Sequence, residues 1–132
     1  NINMAQIIFG FFAVLGHVYP IFYNFKGGKG AGTLIGVVLA IFPYSFPFVL
    51  MCWLLIVIFT GFVGLSTILA GISLVVITYL KYPQTIFSEF GYFTIAVSLF
   101  LIYTHRENIV RMIKGEENQF KKIMIFHKLF KS

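Results

Sequence analysis

Three short polar stretches in an otherwise apolar chain carry the residue types that chemistry needs. The first, residues 16–33, contains Lys26-Gly27-Gly28-Lys29-Gly30. Glycines leave backbone N–H groups unshielded by side chains, and successive N–H groups form a concave anion cradle. The run leads into an expected helix N-terminus, whose partial positive charge also favours phosphate, and Lys26 and Lys29 add full charges. The Gly-x4-Gly-Lys-Ser/Thr spacing of a Walker loop is missing, which argues against nucleotide hydrolysis. The bland alternative is a tight turn whose lysines anchor helices to lipid headgroups. The second stretch, residues 105–118, sets His105, Asn108 and Arg111 three residues apart, so that on a helix an imidazole, an amide and a guanidinium project to adjoining sides. Such a set can orient a hydroxyl or carbonyl, balance charge and move a proton. The third, residues 60–67, offers the hydroxyls of Ser66 and Thr67, although such groups in apolar helices more often bond their own backbone.

What is missing narrows the chemistry. All four acidic residues are Glu (Glu89, Glu107, Glu116, Glu117), so a Ser-His-Asp triad, a His-x4-Asp dyad and Asp-rich metal motifs cannot be built. Cys52 is the single cysteine and lies in an apolar run, which excludes an internal disulfide and a Cys-cluster zinc site. Neither an Asp-rich nor a Cys-cluster metal site is therefore expected. The net charge of +6 does not point to nucleic acid, because the basic residues cluster after the last apolar segment, as on the cytoplasmic side of membrane proteins.

The elements that must position these groups are membrane helices. The chain is 59% hydrophobic and 11% charged, with no charge in residues 1–25 or 30–80 and only Glu89 between Lys81 and Arg106. Soluble domains average about a quarter charged. A bilayer crossing takes ~20 residues, or about 17 at least, so the 51 residues from 30 to 80 hold two comfortable crossings or three short ones. Breaks at Pro43 and Pro47, at residues 60–67 and at Lys81-Tyr82-Pro83 favour three. Three crossings put Lys26, Lys29 and every basic residue from Arg106 onward on one face, leaving Lys81 alone opposite, as the positive-inside bias prefers. The chain is therefore expected to be an all-α, polytopic membrane bundle of about five helices, near 2–16, 31–46, 48–60, 64–80 and 88–105. Residues 31–42 alone are short for a crossing, so the second helix must continue through Pro43 with a kink or fail to span. Gly10, Gly16, Gly36, Gly61, Gly64, Gly71 and Gly91 are expected at close helix seams. Residues 1–132 form one integral membrane domain. Its tail, 106–132, starts as a continuation of the last helix and, after Gly115, alternates Lys with Ile, Phe and Leu in a pattern suited to an anionic membrane surface.

At these residues the sequence resembles the bacterial acyl-phosphate:glycerol-3-phosphate acyltransferases of the PlsY type. The resemblance rests on Gly-His-x-Tyr-Pro-x-Phe-x-x-Phe-Lys-Gly-Gly-Lys-Gly at 16–30, on His-Arg-x-Asn-Ile-x-Arg at 105–111 with Gly115 and Glu117, and more weakly on residues 60–67. It implies acyl transfer from acyl phosphate to sn-glycerol 3-phosphate, giving lysophosphatidic acid and phosphate, without coenzyme A or metal, as the first step of phospholipid synthesis. The implied partners are those two substrates and membrane lipids, with no nucleic acid; the expected assembly is a monomer in the bacterial inner membrane, with its site on the cytoplasmic face. Carried over by position, Lys26, Gly27, Gly28, Lys29 and Gly30 resemble the phosphate-binding motif. His105 and Asn108 correspond to catalytic polar residues, and Arg111, Glu117 and Ser66 to substrate-binding ones. The chain departs from the family in having Ala31-Gly32 for Val-Ala and Gly61 and Gly64 for a basic residue and a serine. Family members typically carry two further N-terminal helices joined by a Gly/Asn-rich motif with Ser and Arg; that motif does not occur in residues 1–132, so the sequence is expected to be N-terminally truncated.

The composition suits this reaction. An acyl phosphate is an activated mixed anhydride with a good leaving group, so placement and electrostatics can replace a strong base. His105 as base, His105 as donor and the substrate phosphate as proton acceptor all remain open at this level. The rival reading is a small anion carrier or channel with the basic loop at its entry, against which stands the lack of charge within the middle three helices.

Overall fold

The structure is a computed structural model that describes residues 4–81, 83–85, 87–121 and 123–124. Among the described residues six α-helices follow one another: α1 (Met4–Val18), α2 (Ala31–Ile41), α3 (Phe46–Thr60), α4 (Val63–Lys81), α5 (Glu89–Thr104) and α6 (Arg106–Ile113). There is no strand among the described residues. The stretches Met4–Tyr23, Pro43–Thr60 and Val63–Lys81 are long and apolar enough to cross a membrane, whereas α2 and α5 are shorter apolar helices.

The expected second helix, 31–46, does not run through Pro43. Phe42 leaves the helical region at φ −140°, ψ 63°, as the clash of a proline ring with the preceding residue dictates, and a 3₁₀ turn over Pro43–Ser45 leads into α3. Pro47 then sits in the first turn of α3, where no N–H is needed. The last helix also differs from expectation. α5 ends at Thr104, His105 takes φ −100°, ψ 12°, and α6 starts afresh at Arg106. This break turns the amphipathic α6 away from the apolar course of α5.

Helices α1, α2, α4 and α5 share one core, in which Val14, Leu34, Val38, Leu74, Phe93, Val97 and Leu101 are buried. α3 packs beside α4, with Trp53 Nε1 donating to Thr67 Oγ1 at 3.2 Å. Small residues let α4 and α5 approach: Ser98 Oγ donates to the Gly71 carbonyl at 2.6 Å, and a Cβ on Gly71 would lie 2.8 Å from Leu101 Cδ1. Gly10 likewise faces Val37, but Gly16 and Gly36 have open space where a Cβ would stand and do not form seams. Phe9, Phe12, Leu80 and Leu99 point outward, as lipid-facing side chains do.

The connections divide between two ends of the bundle. The α1–α2 loop, the α3–α4 turn and the α5–α6 junction meet at one end, joined by Thr104 Oγ1 donating to the Lys29 carbonyl at 3.0 Å and by Gly64 packed on Asn108. Lys81 lies at the opposite end, its Nζ 5.8 Å above the Phe48 ring.

Candidate active site

The glycine loop is built by folding back on α1. After Val18 the chain makes a 3₁₀ turn over Ile21–Tyr23, and Asn24 and Phe25 take positive φ values of 52° and 58°. The returning segment then places the Gly27 N–H on the Val18 carbonyl at 3.0 Å and the Gly28 N–H on the His17 carbonyl at 3.2 Å. These are terminal carbonyls of α1 that would otherwise lack partners. The cradle expected from Gly27 and Gly28 N–H groups is therefore not formed by those two, because they cap α1. The free N–H groups lie further on. Gly30, at φ 82°, precedes α2 without a side-chain cap, leaving the first-turn N–H groups of Ala31, Gly32 and Thr33 beside Lys29. A side chain at 30 would be strained by that φ and would meet Val18 Cγ2 at 3.0 Å and Val14 Cγ1 at 3.1 Å.

Four of the anticipated side chains form one hydrogen-bonded chain. Lys29 Nζ donates to Asn108 Oδ1. Asn108 Nδ2 donates to Glu117 Oε1 at 2.7 Å, and Arg111 Nε donates to Glu117 Oε2 at 2.6 Å. Glu117, with its side chain 8% exposed, thus holds the amide and the guanidinium together. Burial pushes its carboxyl pKa up, but donation from Arg111 and Asn108 and the charges of Arg111 and Lys29 outweigh burial and hold it below the usual carboxylate range. Two cations against one anion leave the cluster net positive; Lys26 is exposed on the same loop, its backbone N–H donating to the Tyr23 carbonyl at 3.1 Å.

His105 is buried beside this chain at the α5–α6 break. Its Nδ1 lies 2.9 Å from the Leu101 carbonyl, an acceptor, so Nδ1 carries the proton and Nε2 keeps its lone pair. Burial lowers the imidazole pKa and Lys29 lowers it further, against the opposing backbone bond to Leu101 and the charge of Glu117. The ring is thereby held neutral near pH 7.

Ser66 stands apart from this set. It is fully buried, and its Oγ donates to the Phe62 carbonyl at 2.8 Å in its own helix. Two residues outside the candidate set also contribute: Gly64, expected only as a seam glycine, and Thr104, which the sequence did not single out. Gly64 makes room for Asn108, whose Cβ, Cγ and Nδ2 would each lie 2.9 Å from a Cβ at that position. Thr104 ties the glycine loop to α5 through the Lys29 carbonyl. The departure of Gly64 from the family pattern was the available signal for the first; Thr104 gave none beyond adjacency to His105. No group of three or more His, Cys, Asp or Glu side chains suited to a metal ion occurs among the described residues.

Below this cluster an apolar cavity of about 200 Å³ opens between α2, α3 and α4, lined by Ala31, Leu34, Val38, Trp53, Thr67 and Leu74 among others. Ala31 borders both the cavity and the α2 N-terminus. An apolar slot thus adjoins the α2 N-terminus, an arrangement that suits a lipid with an anionic head.

A family model for glycerol-3-phosphate acyltransferase matches residues 2–115. The chain belongs to the glycerol-3-phosphate acyltransferase family. The family member of Aquifex aeolicus (strain VF5) is 39% identical over 112 residues, covering 84% of this chain and 56% of its own length. That of Staphylococcus carnosus (strain TM300) is 40% identical over 115 residues, covering 87% and 55%. The crystal structure of PlsY (YgiH), an integral membrane glycerol 3-phosphate acyltransferase, in its glycerol 3-phosphate form superimposes with a TM-score of 0.81 at 37% identity, over 86% of this chain and 56% of that one. The lysophosphatidic acid form gives 0.80 at 36% identity, over 95% and 61%. The chain spans a little over half the length of these relatives. Membership of this family makes it an all-helical integral membrane protein, and the 105–117 motif that the family model matches up to residue 115 contains His105, Asn108 and Arg111.

Proposed function

We propose that the chain catalyses transfer of a fatty acyl group from acyl phosphate to sn-glycerol 3-phosphate, forming lysophosphatidic acid and phosphate. The observation that carries this reading is the direct linkage of the glycine loop to the 105–117 segment through Lys29 and Asn108, with an apolar cavity that Ala31, two residues beyond Lys29, helps to line. Family membership supports it, as do the neighbours solved with glycerol 3-phosphate and lysophosphatidic acid.

In this reading Lys29, Lys26 and the first-turn N–H groups of α2 hold a phosphate, and Arg111 contributes charge. The donor's apolar chain lies between α2, α3 and α4, which brings its mixed anhydride up to Asn108. Asn108 orients the acceptor hydroxyl or the acyl carbonyl, its own position set by Lys29 and Glu117. The acceptor oxygen attacks the acyl carbon, the bond from that carbon to the phosphate oxygen breaks, and inorganic phosphate leaves. His105 Nε2, unprotonated, is suited to take the hydroxyl proton. Glu117 supports the site without touching the reacting atoms, and the bond that Ser66 makes to its own helix argues for a structural part. Nine of the ten basic residues belong to the site end of the chain by sequence topology, which favours the cytoplasmic face of a bacterial inner membrane. Residues 1–132 are read as one membrane domain acting as a monomer. The surface role of the tail falls partly on 122 and 125–132, outside the described residues, while Phe120 N–H on the Gly61 carbonyl at 2.8 Å folds the start of the tail over the α3–α4 turn.

Membranes containing the protein are to be given acyl phosphate and glycerol 3-phosphate. Lysophosphatidate and phosphate in equal amounts are expected, with Lys29→Ala and His105→Ala each removing most turnover while the protein stays in the membrane. Anion uptake into vesicles without product would establish the carrier instead, and full turnover in both variants would remove these residue roles.

A further inference from the structure

Outside the cluster just described, the closest approach at the glycine loop comes from α1. The imidazole of His17 occupies the space that a side chain at 28 would need: a Cβ there would collide with Nε2 and lie 3.2 Å from Cδ2 and 3.4 Å from Cε1. The same residue's carbonyl accepts the Gly28 N–H at 3.2 Å, so residue 28 is held by both the main chain and the ring of His17. One residue on, the loop is tied to α5 through Thr104 and the Lys29 carbonyl, and to α6 through Lys29 Nζ and Asn108. The Gly28–Lys29 segment is thus spanned between α1 and the catalytic helices, with the ring on the α1 side.

We propose that His17 is a positioning residue of the phosphate loop, its imidazole setting where Lys29 and the α2 N-terminus stand, and that residue 28 is glycine to admit that ring. The proposal rests on the acyltransferase reading for its kinetic consequences but not for its geometry. His17 is exposed, so its ring can swing out to solvent. A methyl group at 28 therefore expels the imidazole rather than breaking the fold, and His17→Ala and Gly28→Ala remove the same contact. Gly27 behaves differently, since a Cβ there would strike the His17 carbonyl oxygen, lie 2.8 Å from the Val18 carbonyl oxygen and 2.7 Å from Pro20 Cδ, none of which can swing away.

The test is a double-mutant cycle in the full chain, read by steady-state kinetics and by thermal unfolding in detergent. His17→Ala, Gly28→Ala and the double variant should each raise KM for glycerol 3-phosphate by about tenfold with kcat within about threefold, the double being no worse than either single. His17→Gln, which keeps a polar tip near the Nε2 position, should restore KM. Gly27→Ala should add its full effect whether residue 17 is His or Ala. Multiplicative single effects, or an unchanged KM in His17→Ala, would overturn the proposal. If the unmodified chain makes no lysophosphatidate, the acyltransferase reading fails, and the thermal midpoints decide the contact alone: non-additive 17/28 effects uphold it, additive ones overturn it.

Discussion

Replacing Gly64 by alanine asks whether α4 fixes the position of Asn108. The new Cβ would lie 2.9 Å from Asn108 Cβ, Cγ and Nδ2, a distance that real Cβ contacts essentially never show. Asn108 Cβ cannot rotate away, since it is set by the backbone of α6, so the amide must shift with the helix. Both of its hydrogen bonds, from Lys29 Nζ and to Glu117 Oε1, then misalign. Bonds to charged groups contribute about 1.5–3 kcal/mol each, but Lys29 is exposed and water replaces much of its share, leaving about 2–3 kcal/mol for the pair. At tenfold per ~1.4 kcal/mol this predicts a loss of about 30- to 150-fold in kcat/KM. Gly10→Ala is the matched control. Its Cβ would crowd Val37 Cγ1 at 2.6 Å and Ile41 Cδ1 at 3.3 Å between α1 and α2, outside the apolar cavity, which lowers stability by about 1–3 kcal/mol without touching a polar side chain. Lysophosphatidate formation and thermal unfolding are to be measured on both purified variants. A Gly64→Ala variant within about threefold of the parent, or a loss that Gly10→Ala matches, would refute the argument.

The depressed pKa of His105 means that the unfolded chain binds its proton first on acidification. Stability from this group is therefore full above the ordinary imidazole range and falls as pH drops through it; His105→Gln should flatten that slope in unfolding midpoints between about pH 5 and 7.5. Activity limited by a neutral His105 should likewise persist below the ordinary imidazole pKa of about 6.5, and a kcat/KM profile that breaks above that value would contradict the assignment. Glu117→Gln should release Arg111 and loosen Asn108, lowering kcat by about tenfold. It should also remove stability that is present above the ordinary carboxylate range and lost as pH falls through the depressed pKa, as acid-unfolding curves of the two proteins would reveal. Gly30→Ala should destabilise by about 1–2 kcal/mol through its left-handed φ alone, measurable by denaturant unfolding in detergent.

The long helices were legible because their signal is local. An apolar run bounded by Gly, Pro or charge fixes α1, α3, α4 and α5 to within about two residues. The two misread boundaries have one cause in common, which is that apolarity continues where the backbone does not. Residues 42–46 read as helix because they are hydrophobic, yet Phe42 precedes a proline and leaves the helical region. At 104–106 no breaker residue announces the bend; His105 turns the chain while its ring and the Thr104 hydroxyl find carbonyls on α5 and on the glycine loop. Those partners are distant in sequence or created by the bend itself, so no local pattern encodes them.

The site shows the same division between residue type and residue partner. Spacing was enough to group His105, Asn108 and Arg111, and charge topology was enough to bring Lys29 to the same end of the bundle. It could not say that Gly27 and Gly28 would use their N–H groups to cap α1, because that depends on Asn24 and Phe25 adopting left-handed angles and turning the loop back. The consequence is functional. With those N–H groups engaged, the anion of the proposed reaction is left the first turn of α2 and the Lys29 ammonium as its partners. Lys29 reaches Asn108 only because Gly64 lets α6 sit close against α4. Gly64 is thus a spacing element: it closes the distance between the glycine loop and Asn108.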